Sequence, residues 1–160
     1  MKEEEIIKIL TQEGKTISAM ESCTGGGLAN RITNYSGSSE IIKFSSVTYS
    51  NEYKIKMGVP KEVIDKYSVY SLETAISMAK AIADFSDSNY GIGITGKLNR
   101  IDPHNPEESV NTVYICIYDK DENINYTYIL KVNKLTRKEN KDEVIDFVID
   151  NLCKIIKREL

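Results

Sequence analysis

A chain of 160 residues, 41% hydrophobic and 28% charged, is long enough to bury one sizeable core and reads as a single domain over residues 1–160. Its net charge of −3, with no dense basic run, excludes a surface built for nucleic acid or another polyanion. No apolar run approaches the roughly 18 residues of a membrane span, and the acidic start MKEEEIIKIL is unlike a secretory signal, so a cytoplasmic protein without membrane contact is expected.

Glu3 to Glu13 spaces Ile6, Ile7, Ile9 and Leu10 as an amphipathic helix, with acidic residues in its first turn and Gly14 past its end. Thr16 to Met20 is long enough only for a buried strand. Ser22-Cys23-Thr24 and three glycines then permit a tight turn into a helix running from near Gly26 to about Tyr35. Free backbone N–H groups at such a helix start would favour an anion or a developing oxyanion, although the same triplet serves equally as an ordinary helix cap. Ser36 to Ser39 is loop chemistry, and Ser46 to Tyr49 is a β-branched, aromatic strand. Tyr49, Asn51 and Lys54 thereby fall at the C-terminal end of a strand, the edge where open α/β sheets place ligands.

Gly58-Val59-Pro60 breaks the chain before a short helix over Lys61 to Tyr67. Ser71 is the N-cap of a long helix through Phe85, with Ala75, Met78, Ala79 and Ile82 on its apolar side. Tyr90 to Thr95 is a strand whose glycines mark a close backbone approach. Lys97 to Val110 is a long polar loop holding two prolines and His104, the only histidine. Asn111 to Tyr118 and Asn125 to Val132 make an antiparallel hairpin, and Lys138 to Lys157 a closing amphipathic helix. The succession predicts an α/β fold, a three-layer α/β/α sandwich with a mixed sheet.

Serine is a poor nucleophile unless a base takes its proton, and a lysine does so where burial lowers its pKa. Ser22 with Lys54 is thus a workable acyl-transfer pair; Lys54 as a solvated surface cation is the plainer alternative. Cys23, Cys116 and Cys153 show no C-x-x-C or Cys/His spacing, which suggests neither disulfides nor a metal site. Cys116 and Cys153 lie within apolar patterns; Cys23 stands at the mouth of the turn.

The sequence resembles the CinA C-terminal domain, or nicotinamide-nucleotide amidase, family in ESCTGGG (Glu21 to Gly27), Gly37 to Ser39, VTYSNEYK (Val47 to Lys54), Gly58-Val59-Pro60, Ser71 and Thr95-Gly96. The resemblance implies an α/β/α homodimer that needs no cofactor or metal and takes a small pyridine nucleotide, hydrolysing the amide of nicotinamide mononucleotide. By motif position Ser22 is the candidate nucleophile, with Tyr49 and Lys54 as activating partners. Thr24, Gly25 and Gly26 would supply turn and oxyanion or phosphate contacts beside Cys23. Asn51, Thr95 and Gly96 would line the pocket, and Arg137, ahead of the last helix, suits a ligand phosphate. In many relatives this domain follows a second one; this sequence is read as the domain alone.

The sequence departs from the family after Thr95-Gly96. KLNRIDPHNPEESVNTV stands where a glycine-rich turn is usual, with Asn111 at an expected glycine. Ser68-Val69-Tyr70 replaces Gly-Ala-Val before Ser71. Two readings follow. One is an amidase with a rebuilt pocket wall, in which Lys97 and Arg100 meet a phosphate. The other is a catalytically inactive nucleotide-binding or regulatory protein.

Overall fold

Runs that are apolar on both faces become central strands. Ile17–Glu21 (β1) is buried along its whole length and lies between Ile42–Val47 (β2) and Tyr90–Gly96 (β3), parallel to both. Thr112–Asp119 (β4) and Ile124–Lys131 (β5) add antiparallel, giving the five-stranded order β2-β1-β3-β4-β5. The computed structural model describes residues 1–100, 103 and 110–160. His104, the histidine of the polar loop, therefore lies outside the described residues.

Alternation within the strands divides the core between two faces. Ile17, Ala19, Ile92, Ile94, Val113, Ile115 and Ile117 pack beneath Lys2–Glu13 (α1), Gly27–Thr33 (α2) and Arg137–Lys157 (α6). Met20, Cys116 and Tyr118 face the other way, towards Lys61–Tyr67 (α4) and Leu72–Ser86 (α5). This is the expected sandwich with its mixed sheet. Ser71 caps α5 as anticipated, its Oγ accepting the Thr74 N–H at 3.1 Å.

The glycines of β3 have a packing cause. A Cβ on Gly91 would stand 2.0 Å from the Ala79 carbonyl oxygen, and one on Gly93 2.2 Å from that of Ala75, so α5 lies with its backbone against the strand. Gly93→Ala is expected to cost about 3 kcal/mol in denaturant unfolding, because the helix must lift off the sheet. An unchanged unfolding midpoint would refute that packing account.

Two local expectations are corrected. The second strand begins at Ile42 and ends at Val47, leaving Tyr49 beyond it. Asn51–Lys56 (α3) is a helical turn where only a strand end was expected. Ser50 causes it: its Oγ accepts the Tyr53 N–H at 3.2 Å, and this cap turns the chain back towards β1.

Candidate active site

Ser22 follows the last residue of β1 and remains clamped to the sheet. Its N–H donates to the Ile94 carbonyl at 3.1 Å, while the Glu21 carbonyl accepts the Thr48 N–H at 2.9 Å. A serine fixed this way at the C-terminal end of a central strand has a rigid backbone and an outward side chain. The α3 turn brings Lys54 over it. Lys54 Nζ donates to Ser22 Oγ at 3.2 Å and to the Thr48 carbonyl at 2.7 Å, although 32 residues separate the pair. Lys54 is only 3% exposed, and burial pushes its ammonium down to about 8.

The Glu21 carboxylate, wholly buried, accepts from Thr24 Oγ1 at 2.6 Å and from the Leu28 and Ala29 N–H groups at 3.0 and 3.1 Å. Two N–H groups at the start of α2, expected to face an anion, are thus occupied from within the protein. Thr24 turns its hydroxyl towards Glu21. Thr24, Gly25 and Gly26, expected beside the ligand, are not among the described lining residues of the cavity above Ser22. Glu21 went without a role in the sequence; a carboxylate directly ahead of a capping triplet and a helix start is the signal that marks it.

That cavity, of about 600 Å³, is lined by the expected Ser22, Cys23, Tyr49, Asn51, Lys54, Thr95, Gly96 and Arg137. Its described lining includes four cations, Lys54, Lys97, Arg100 and Arg137, and no carboxylate. In a chain of net charge −3, the described part of this wall is locally positive. Lys97, buried, lies over the Tyr70 ring at 5.0 Å from its centroid, so two of the residues that depart from the family pattern share one wall.

Tyr49 is paired differently from expectation. Its hydroxyl accepts from Arg137 Nη2 at 2.8 Å, at an exposed rim, which pairs it with that guanidinium rather than with Ser22 or Lys54. Arg137 is the first residue of α6, not a residue ahead of it, with Thr136 as the N-cap. Thr95 donates its hydroxyl to the Val69 carbonyl at 2.8 Å and joins the wall to the segment before α5. Cys23 is buried and its thiol is pushed up to about 12 by that burial, so it stays protonated and contributes shape rather than a nucleophile. Among the described residues no three His, Cys, Asp or Glu side chains are grouped to hold a metal ion, and no helix is long and apolar enough to cross a membrane.

The family described as the CinA C-terminal domain matches residues 1–156. A protein of Clostridium kluyveri described as competence-damage inducible is 36% identical over 162 residues, covering 100% of this chain and 38% of its own length. A CinA-like protein of Kosmotoga olearia is 41% identical over 117 residues, covering 72% of this chain and 28% of its own. The chain thus spans well under half the length of these relatives. Among solved structures, the competence/damage inducible protein CihA of Agrobacterium tumefaciens superposes with a TM-score of 0.85 at 26% identity, covering 94% of this chain and 91% of its own. A competence or damage-inducible protein of Enterobacter asburiae, 20% identical, reaches 0.89 over 97% of this chain and 96% of its own and shares the fold.

Proposed function

The chain belongs to the CinA C-terminal domain family, and from that premise we propose that it is a nicotinamide-nucleotide amidase, hydrolysing the carboxamide of nicotinamide mononucleotide to the acid and ammonia. The observation that carries this reading is the contact of buried Lys54 Nζ with Ser22 Oγ at 3.2 Å. In its neutral form Lys54 takes the Ser22 proton as the oxygen attacks the amide carbon, and the Thr48 carbonyl holds the amine in place. The tetrahedral intermediate collapses as the new ammonium protonates the departing nitrogen, which leaves as ammonia. Lys54 then deprotonates a water that attacks the Ser22 ester, and the acid is released as Ser22 recovers its proton.

Lys97, Arg100 and Arg137 of the wall support a phosphate-bearing substrate. Arg137, oriented by Tyr49, serves as a phosphate ligand together with Lys97 and Arg100. Tyr49 acts on the substrate through Arg137 and takes no proton from Ser22. The work is that of a cytoplasmic enzyme needing no cofactor, acting as a homodimer.

Incubation with nicotinamide mononucleotide should release ammonia and acid in equal amounts, and Ser22→Ala should abolish both with the fold unchanged. Purified protein that releases no ammonia over hours, while a related amidase does, would refute the proposal. If a thermal shift then still reported nucleotide binding, the inactive binding protein would be the correct reading.

A further inference from the structure

Three asparagines join the segments that carry Lys97, Arg100 and Arg137 of the cavity wall. Asn99 and Asn111 stand at φ +58° and +62°, the left-handed region that among residues with side chains asparagine tolerates best. Both use their amides there. Asn111 Oδ1 accepts the Asn99 N–H at 2.7 Å, and the Asn111 N–H donates to the Lys97 carbonyl at 2.8 Å. Asn99 Nδ2 donates to the Leu135 carbonyl at 3.2 Å, and its Oδ1 accepts from Asn140 Nδ2. Asn140 is wholly buried, and its Oδ1 accepts the Lys134 N–H at 2.7 Å.

These contacts tie together two segments 41 residues apart. Asn99 lies between Leu98 and Arg100, and two residues past Lys97, in the segment after β3. Asn140 lies one turn past Arg137 in α6. Lys97 and Arg100 therefore belong to one side of the clip and Arg137 to the other, and all three line the cavity. Cations held apart in a fixed geometry bind a tetrahedral dianion better than cations that must first be ordered, because the ordering entropy is already spent.

We infer that Asn99 and Asn140 form a positioning clip that fixes Lys97 and Arg100 opposite Arg137 for the phosphate of the substrate. Asn99 thereby determines specificity for phosphorylated ligands without touching the reacting amide. The inference rests on the reading of the cavity as a site for a phosphate-bearing ligand, and it is independent of whether Ser22 turns over.

The test is titration calorimetry of ribose 5-phosphate, with nicotinamide riboside as the ligand lacking phosphate, into wild type, Asn99→Gly, Arg137→Ala and the double variant. Glycine accepts the left-handed φ and removes only the amide, and a thermal melt verifies folding. Asn99→Gly should weaken ribose 5-phosphate about tenfold and leave the riboside within twofold. The double variant should lose less ribose 5-phosphate affinity than the two single losses multiplied, since the clip acts by placing Lys97 and Arg100 relative to Arg137. Unchanged ribose 5-phosphate affinity in Asn99→Gly, equal weakening of the riboside, or no measurable ribose 5-phosphate binding by wild type would each overturn the inference. Clip-dependent ribose 5-phosphate binding in a protein that releases no ammonia would leave the clip standing and remove the amidase.

Discussion

Lys54→Met is expected to lower kcat for ammonia release by at least about 10³-fold while raising the melting temperature. Methionine is close in length and unbranched, so it occupies much of the same space while removing the amine that faces Ser22 and donates to the Thr48 carbonyl. The pH profile carries the same prediction. With the Lys54 ammonium pushed down to about 8 by burial, the rate should climb with pH through about 8 and level above it. At pH 7 roughly a tenth of the molecules would hold the neutral amine. A rate that is flat between pH 6 and 9, or a Lys54→Met variant that retains turnover, would refute the assignment.

The stability effect has the opposite sign. The unfolded chain holds the Lys54 proton up to the ordinary lysine value of 10.5, while the folded protein releases it at about 8. Between those values the unfolded state binds more protons, so stability should rise with pH from about 8 to about 10.5. Below 8 the charged, buried lysine costs about 3 kcal/mol at 1.36 kcal/mol per pH unit. Lys54→Met removes that cost but leaves the Thr48 carbonyl without its donor, for an expected net gain of about 2 kcal/mol. An active site that costs the fold stability, and gains from losing its own base, is the behaviour expected of a functional lysine.

Glu21→Ala is expected to destabilise the protein by about 4 kcal/mol, or roughly 12 °C in melting temperature, the largest loss from any single polar side chain near the site. The carboxylate is wholly buried and accepts three hydrogen bonds, from Thr24 Oγ1, Leu28 N–H and Ala29 N–H. Alanine strands all three donors and leaves a void beneath the Ser22 turn. Glu21→Gln keeps the volume and should lose about half as much, since an amide oxygen satisfies only part of the set. Equal stability of Glu21→Ala and wild type in chemical unfolding would show that the carboxylate does not hold the turn.

Much of the fold was legible because its signals are local. The bounds of α4, the Ser71 cap on α5, the hairpin of β4 and β5 and the apolar face of α6 rest on periodicity and capping within a few residues. The α3 turn is not legible because Ser50 follows directly on the strand read over Ser46 to Tyr49, and only its hydroxyl on Tyr53 N–H reveals a helix cap. The glycines absent after Thr95-Gly96 have a partial backbone counterpart that the sequence does not show: Asn99 and Asn111 hold the left-handed conformation that a glycine adopts readily.

By itself the sequence determined the order of strands and helices apart from α3, a buried strand running into Ser22, and the family motifs that marked Ser22, Lys54 and Arg137 as candidates. Tertiary structure alone decided what those residues touch. It set Lys54 on Ser22 across 32 positions, turned Tyr49 to Arg137 across 88, and occupied the start of α2 with Glu21. The physical reason is that propensity and capping act over one or two turns of chain. Desolvation and long-range hydrogen bonds depend on which segments the sheet brings together, and a lysine becomes a base only where that packing removes its water.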